Sequence, residues 1–406
     1  MFRIEMLPAA HGDCLWIEYG TGNRVHRILI DGGPAHTYTA LRERILHLPA
    51  EDRHFDLLVI THIDGDHIEG VIRLLQDAPL LQCHFDRIWF NGRDQLDQVP
   101  DPAGAPLGAV QGEMLGMLIA DYEASSGRQV WNLGLPNRLA AIDRSADGLP
   151  SVDLPGEQGE CRLTLLSPDY DRLLDLKDGW ADELRKARIP SGDMHRLRAK
   201  LEESRNLRPL GDVLGAEDEA AEGAYELPDE NDADLLGDID DVLGSGDGGE
   251  PGATAEFGSD TSKANGSSIA LLLEYPKDNP QVRFLLAGDA WASVLQKSLD
   301  TLLPDSGDKL KLHGFKLPHH GSVANLTPEL LQRLRCKHYL ISTSGAVFRH
   351  PHARAIDLLL QEHNNRGKPR LHFNYLTRTT QPWSELTDQE NRGYKAFHPA
   401  GISLLL

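Results

Sequence analysis

Residues 57–76 read LLVITHIDGDHIEGVIRLLQ, and this stretch decides both the fold class and the chemistry of the 406-residue chain. The apolar run Leu57–Thr61 predicts a buried strand, and Ile68–Gln76 has the spacing of a helix. Between them stand two imidazoles and two carboxylates, His62, Asp64, Asp66 and His67. Four such groups on one loop repel one another, or lose their hydration at high cost, unless a cation binds them. Although each residue alone is commonly structural, together they predict a metal site at a sheet edge.

Later motifs also put polar side chains directly after apolar strands. The motifs are Asp289 after Phe284–Gly288, His319 and His320 after Gly314–Leu317, and His350 and His352 after Tyr339–Ser342. Taken singly, Asp289 could cap a helix and His352 could be a surface residue near a helix start. Because all of them follow strand ends, we expect them to converge on one sheet edge.

The alternation of strands and helices predicts an α/β protein. Predicted strands are Phe2–Leu7, Cys14–Tyr19, Arg27–Asp31, Leu57–Thr61, Arg87–Phe90, Cys161–Leu166, Ser268–Glu274, Phe284–Gly288, Gly314–Leu317 and Tyr339–Ser342. Predicted helices include Ala105–Ser126, Trp291–Leu303, Pro328–Arg335 and Ala353–Asn364. We expect a single domain over residues 1–406, with a helical and loop insertion at 93–160, a charged helical insertion at 169–210 and an acidic, mobile loop at 211–262.

The net charge of −21 would by itself argue against an acidic partner such as nucleic acid. The charge is concentrated, however, because 17 acidic residues and no Lys or Arg lie between Arg208 and Lys263, which leaves −4 for the rest of the chain. A nucleic-acid substrate therefore stays open. We expect a cytoplasmic protein without membrane association, because neither a secretory signal nor an apolar run of about 18 residues is present. Four widely spaced cysteines without a C-x-x-C pair predict buried thiols.

The order of these motifs resembles the metallo-β-lactamase superfamily, and most closely the nuclease-like domain of ComEC-type DNA-internalisation competence proteins. The similarity covers about residues 1–92 and 263–355. It includes the H-x-D-x-D-H loop at His62–His67, the later Gly288-Asp289, His319-His320-Gly321-Ser322 and His350-Pro351 motifs, and Gly12-Asp13, Leu29–Gly33 and Asn265–Ser268. The resemblance implies a four-layer αβ/βα sandwich, with hydrolysis of a phosphodiester or a related bond by metal-bound hydroxide.

Two departures from the superfamily pattern matter. Asp64 stands where the superfamily loop has its second histidine, and this harder ligand makes manganese as credible as zinc. The separate third-motif histidine has no counterpart, because His84 precedes the strand and His195 lies in the charged insertion. Asn91, at the end of a predicted strand, is the candidate for that position beside a purely structural role.

The resemblance leads to a hypothesis for each site residue. Asp289 would bridge two divalent metal ions, zinc or manganese, and the other ligands would be Asp66, His67 and His350 on one side and His62 with Asp64 on the other. Asp66 is also assigned a catalytic role, Asp31 would orient a ligand from behind, and His319 and His320 are candidates for metal ligand or proton donor. Ser322, Ser268 and Lys316 are candidates for binding substrate phosphate, although a turn or strand-start role is the alternative for both serines.

Three hypotheses for the function of the protein stay open, two of them enzymes and one a binding protein. The leading hypothesis is a nuclease or phosphodiesterase that acts on DNA in preference to RNA. The alternatives are a hydrolase of a small ester, thioester or lactam, and a binding scaffold with an inactive site. We also expect the acidic loop at 211–262 to restrain the enzyme until a regulatory protein or a protease releases it.

Overall fold

A computed structural model describes residues 1–21, 24–99, 110–156, 159–177, 259–303, 305, 307–363, 367–398 and 402–405. Its architecture is mixed α/β, as predicted from the sequence. Among the described helices, none joins the length to the apolar character that crossing a bilayer requires. All four cysteines are buried and free, which confirms the prediction made for them.

The first sheet has six strands. In spatial order they are β18 (Ile402–Leu405), β1 (Phe2–Met6), β2 (Leu15–Thr21), β3 (Arg24–Ile30), β5 (Leu57–Val59) and β7 (Ile88–Trp89). The pairs from β18 to β3 are antiparallel, whereas β3, β5 and β7 run parallel to one another. The parallel half therefore sends three strand ends to one edge.

The second sheet has eight strands. In spatial order they are β17 (Lys395–Phe397), β16 (Arg370–Phe373), β15 (His338–Ile341), β13 (Gly314–Lys316), β11 (Val282–Leu286), β10 (Ala270–Tyr275), β9 (Cys161–Ser167) and β8 (Ser151–Leu154). The strands from β11 to β17 are parallel, and those from β8 to β11 are antiparallel. Two short pairs complete the strands, β4 (His54–Phe55) with β6 (His84–Phe85) and β12 (Leu310–Lys311) with β14 (Leu334–Arg335).

The described α-helices flank these sheets. They are Tyr38–Leu46, Gly65–Leu81, Arg93–Leu96, Val110–Ser126, Lys263–Gly266, Ala292–Leu302, Pro328–Gln332, Ala353–Glu362 and Leu386–Arg392, with a further helical segment at 170–177. The helix Gly65–Leu81 buries an apolar stripe against the first sheet, because Ile68, Val71, Ile72 and Leu75 recur at helical spacing. The helix carries Asp66 and His67 in its first turn.

Alternating side chains explain why the apolar runs form strands buried on both faces. In β10, Leu271 and Leu273 join a cluster of buried residues that contains strands of both sheets, whereas Ala270 and Leu272 join a cluster with the helices of the second sheet. In β2, Ile17 joins the shared cluster and Trp16 joins the helices of the first sheet. Strands covered on both faces read as continuous apolar runs, which is the pattern seen in the sequence.

Several predicted boundaries change in the structure. The predicted helix Pro328–Arg335 ends at Gln332, because Leu334–Arg335 pairs with Leu310–Lys311 as a short strand. The predicted insertion at 93–160 contains β8, which forms an edge of the second sheet by pairing with β9. Of the predicted insertion at 169–210, only residues up to 177 are described. The acidic loop at 211–262 also lies outside the described residues apart from 259–262, which are placed at the site.

Candidate metal centre

Strand ends of the two sheets bring the predicted site residues together. Asp31 follows β3, His62 follows β5, Asp289 follows β11, and His319 and His320 follow β13. These strands lie in the parallel parts of their sheets, whose carboxyl ends are the usual place for ligand binding. The edges are joined by a backbone hydrogen bond in which the Ile269 amide donates to the Thr61 carbonyl at 2.9 Å.

His67 is held in one orientation from behind. Its Nδ1 lies 2.8 Å from Asp31 Oδ2, and Asp31 accepts further hydrogen bonds from the Thr61 amide at 2.7 Å and the Thr61 hydroxyl at 2.8 Å. Because an ionised carboxylate only accepts, Nδ1 donates to Asp31, and Nε2 is the nitrogen left to bind a cation when it is deprotonated. That Nε2 faces Asp289 Oδ2 at 3.4 Å and Asp66 Oδ2 at 3.7 Å. Asp31 therefore lies where it was predicted, behind a histidine.

His320 is oriented in the same manner by a backbone carbonyl. Its Nδ1 lies 2.8 Å from the Ser342 carbonyl oxygen. Its Nε2 lies 3.4 Å from Asp66 Oδ2 and 3.4 Å from Asp289 Oδ2. Two imidazoles from different sheets thus direct Nε2 at the same pair of carboxylates.

His62 completes the group on the other side of His67. The two rings are 4.2 Å apart, and His62 Nδ1 lies 3.0 Å from the Thr61 hydroxyl. His62 Nε2 is 3.4 Å from Asp64 Oδ2, and the Asp64 side chain is 42% exposed. Asp64 therefore lies on the open side of the site. We call His62, Asp66, His67, Asp289 and His320 the His–Asp cluster.

The His–Asp cluster contains buried polar atoms without a hydrogen-bond partner. Among the described residues, no group makes a hydrogen bond to Nε2 of His62, His67 or His320, or to Oδ1 of Asp289. Such orphans are rare in native proteins, since each costs about 1–3 kcal/mol. Ligand atoms of His62, His67 and Asp289 lie within 4.8 Å of one another, as do those of Asp66, His67 and His320. Three imidazole nitrogens and carboxylate oxygens are a donor set that suits zinc or manganese, so these residues fit divalent cations.

Charge in the His–Asp cluster also calls for a cation. Burial alone would lower the pKa of His67, but Asp289, Asp66 and Asp31 hold it well above its usual range. Against the same effect of burial, Asp289 above all raises the pKa of His320. For Asp289, burial favours the neutral acid, yet the facing imidazoles hold its pKa well below the usual range. The carboxylates therefore stay ionised beside protonated imidazoles, and a bound divalent cation would take the place of the Nε2 protons.

Lys316 lies beneath the cluster. It is fully buried, its ammonium contacts the Asp13 carboxylate, and its Nζ lies 3.2 Å from the Gly288 carbonyl and 3.8 Å from Asp289 Oδ1. Burial opposes ionisation of Asp13, but Lys316 lowers the pKa of this carboxyl to about 2. The predicted contact of Lys316 with substrate requires an exposed ammonium. In the structure this ammonium is buried and serves as the counter-ion of Asp13.

Strained backbone is concentrated at the site. Asp31, His319 and His320 have φ values of 59°, 45° and 54°, in the left-handed region that non-glycine residues rarely adopt. Such conformations persist when the surroundings impose them, and they occur often at functional sites. Gly288, with φ of 51°, precedes Asp289 where an added Cβ would collide with Ser268 and Thr61.

The other predicted residues divide into neighbours and outsiders. Ser268 is buried and accepts a hydrogen bond from the Asp289 amide at 3.0 Å, so it supports the cluster. Ser322 accepts from the Ala324 amide at 3.3 Å, which is the alternative turn role. His350 lies beside His319, with ring centroids 5.0 Å apart, but no described carboxylate lies within 4.0 Å of its nitrogens. The buried Nδ1 of His350 also lacks a hydrogen-bond partner among the described residues, while His320 is the histidine whose Nε2 lies 3.4 Å from Asp66 Oδ2.

Asn91 is outside the site. Its side-chain amide donates to the Ala140 carbonyl at 2.8 Å and accepts from the Ala140 amide at 3.1 Å. Both polar atoms of the amide are occupied by one backbone segment. The geometry favours the structural role that the sequence left open for Asn91.

Sequence reasoning missed two acidic residues next to the histidines. Asp13 lies 3.5 Å from His320 Nδ1, and Asp260 lies 3.4 Å from His319 Nδ1. The Gly12-Asp13 turn was noticed only as part of a motif, and Asp260 was assigned to the acidic loop. The composition of that loop hid an aspartate whose side chain is 8% exposed.

A second group of ligand-type residues provides a contrast. His54, Asp56 and Asp86 also bring ligand atoms within 4.8 Å of one another. Asp56 accepts from His26 and from the Arg27 amide, both at 2.9 Å, and Asp86 pairs with His54 and with an arginine. Because these carboxylates have protein partners, this group lacks the orphan atoms of the His–Asp cluster.

No protein-family model matches the sequence, and no curated protein matches it at a significant level.

Proposed function

We propose that this protein is a metal-dependent phosphodiesterase that cleaves nucleic acid, with DNA as the favoured substrate. The single observation that carries the proposal is the convergence of Nε2 of His67 and of His320 on Asp289, with a ligand nitrogen of His62 within 4.8 Å of that carboxylate. We further propose that the fold is the four-layer αβ/βα sandwich. Support comes from the three buried clusters, one shared by the two sheets and one between each sheet and its helices.

The roles of the side chains follow from their surroundings. His62, Asp66, His67, Asp289 and His320 would hold two divalent cations, zinc or manganese, with Asp64 at the open side. Such cations, when bound, would polarise phosphoryl oxygens and lower the pKa of water. Asp31 and the Ser342 carbonyl accept from Nδ1 of His67 and of His320, which leaves Nε2 of these two rings as the ligand nitrogen. His319, with a side chain 23% exposed, is the histidine that substrate can reach, and we assign it the proton transfer to the leaving oxygen.

An exposed aromatic and basic loop lies next to the histidines, and it favours a nucleic-acid substrate over a small ester. Val347 and Phe348 are 47% and 37% exposed, and the Phe348 ring lies 5.9 Å from the His350 ring and 6.1 Å from the His11 ring. Arg349 follows and is exposed. Aromatic faces for base stacking, combined with cationic side chains for phosphate, are the usual surface for an unpaired strand.

A cleavage assay tests the proposal. Metal-depleted protein is given Mn²⁺ or Zn²⁺ and offered single-stranded DNA, duplex DNA, RNA and an acyl thioester. We expect metal-dependent cleavage of nucleic acid by the wild-type protein and by Asp56→Asn, but not by Asp289→Asn. Asp56 is the matched control because it is a buried aspartate that accepts two hydrogen bonds and lies outside the site. Turnover of the thioester alone would favour the small-ester hydrolase. Absence of both turnover and bound metal would favour the inactive scaffold.

A further inference from the structure

Asp260 lies in a compact polar network around His319. Its Oδ2 accepts hydrogen bonds from the side-chain amides of Asn265 and Asn325, both at 2.8 Å, and lies 3.4 Å from His319 Nδ1. Its Oδ1 accepts from the Ser262 amide at 2.8 Å. Both oxygens of this buried carboxylate are thus engaged, which fixes its position relative to the imidazole.

Asn325 connects the same network to Asp289, a proposed metal ligand, through hydrogen bonds. Its amide nitrogen donates to the Asp260 carboxylate and to the Asp289 carbonyl, the latter at 3.2 Å, and its Oδ1 lies 3.0 Å from His319 Nδ1. His319 Nδ1 therefore faces two acceptors, a carboxylate and an amide oxygen, while the Asn265 amide nitrogen, 3.4 Å from Nδ1, donates to Asp260. That environment selects the Nδ1–H form and directs Nε2 towards Asp289 Oδ2, 4.0 Å away.

We propose that Asp260 is a positioning residue that holds the His319 imidazole so that Nε2 faces the leaving oxygen of a bound phosphodiester. This inference rests on the proposed function, and it deepens that function by naming Asp260 as the residue that orients the proton donor His319. The arrangement parallels other aspartate–histidine pairs, in which the acid fixes the orientation and tautomer of the ring without taking its proton.

The proton balance of the step is simple. The oxygen of the attacking water forms a bond to phosphorus as the bond from phosphorus to the leaving oxygen breaks. His319 Nε2 gives its proton to that leaving oxygen, while Nδ1–H stays on the ring. The water releases a proton to solvent, and the ring regains one from solvent before the next turnover.

A purely structural role for Asp260 makes a different prediction. The carboxylate could serve only to start the helix Lys263–Gly266, which Ser262 caps through its side chain. In that case its loss would disturb local folding and lower activity on every substrate alike. A positioning role instead makes the loss depend on how much the leaving group needs a proton.

Two substrates separate these readings. Asp260→Asn is assayed on a dinucleotide, whose alkoxide leaving group needs a proton, and on a nucleoside p-nitrophenyl phosphate, whose nitrophenolate does not. We expect kcat on the dinucleotide to fall about 10- to 100-fold, while kcat on the aryl ester changes less than about 3-fold and KM and bound metal stay unchanged. His319→Gln should show the same dependence on the leaving group with a larger fall, and the double variant should fall no further than His319→Gln alone.

The contrary results are equally defined. An equal fall on both substrates, or losses that multiply in the double variant, would overturn the positioning role. If Asp260→Asn does not fold, Asp260→Ser serves, since it also removes the carboxylate without setting an amide against Nδ1. If the wild-type protein cleaves neither substrate with metal, that result counts against the proposed function. If the wild-type protein is active and Asp260→Asn gives one of the contrary results, only the positioning role of Asp260 is overturned.

Discussion

Replacing Asp31 with asparagine separates the orientation of a metal ligand from the charge of the ligands themselves. Asn has nearly the size of Asp and tolerates the left-handed φ of 59° found here, so the backbone should keep its path. The substitution removes the carboxylate that fixes His67 Nδ1 at 2.8 Å and leaves every proposed metal ligand in place.

The expected magnitude follows from the hydrogen bonds of Asp31. Its two oxygens receive three donors, the Thr61 amide, the Thr61 hydroxyl and His67 Nδ1. An amide in its place sets an NH₂ group against at least one of these donors, which costs about 1–3 kcal/mol of folding stability. Loss of such an orienting partner typically weakens metal affinity about 10- to 100-fold, or roughly 1.4–2.8 kcal/mol.

Metal affinity is measured by competition with a chelating dye for Mn²⁺ and Zn²⁺, beside thermal unfolding of the same samples. Asp56→Asn is the matched control, because Asp56 is 2% exposed and accepts from His26 Nδ1 and a backbone amide outside the site. We expect both variants to lose stability and only Asp31→Asn to lose metal affinity. Equal metal affinities in the two variants would refute the reasoning.

His319→Gln should lower turnover of nucleic acid about 10²- to 10⁴-fold while the protein keeps its bound metal. His320→Gln should instead lose metal, as measured by elemental analysis. Identical metal contents in the two variants would contradict this division of roles. Phe348→Ala should weaken binding of single-stranded DNA about 5- to 150-fold in a fluorescence titration while leaving small-diester turnover unchanged, and the result fails if both fall together. Burial, assisted by Arg370, lowers the pKa of His338 to about 4, and burial with the neighbouring His338 lowers that of His372 to about 3. The unfolded chain therefore binds more protons between pH 6.5 and 4, so stability falls as the pH drops through this window, by up to about 3 kcal/mol for each of the two histidines. In urea unfolding at pH 7 and pH 4.5, His372→Gln should flatten that dependence, and an unaltered slope would count against it.

Much of the site was predictable because strand ends carry it. The apolar runs before His62, Asp289 and His319 each form a strand, and the polar residues follow at its carboxyl end. Local pattern reaches this far, since a buried strand covered on both faces is recognisable from composition alone. The strands β8, β16, β17 and β18 were not predicted, because their short sequences carry no clear period.

The partners of each side chain were less predictable. The sequence does not tell His320 from His350 as the neighbour of Asp66, because the choice depends on how the turn after β13 bends through two left-handed residues. Lys316 resembled a phosphate ligand in the sequence, yet the opposing Asp13 from the other sheet makes it a buried counter-ion. In the sequence Asp260 is one more charge in an acidic run, and its contacts with two asparagines distinguish it in the structure.

Anomalous scattering from crystals loaded with Mn²⁺ shows whether the His–Asp cluster binds a divalent cation. We expect anomalous density enclosed by the His–Asp cluster, in contact with Nε2 of His62, His67 and His320 and with Asp289. Crystals with full metal load but no density at that cluster, or with density only at His54, Asp56 and Asp86, would contradict it.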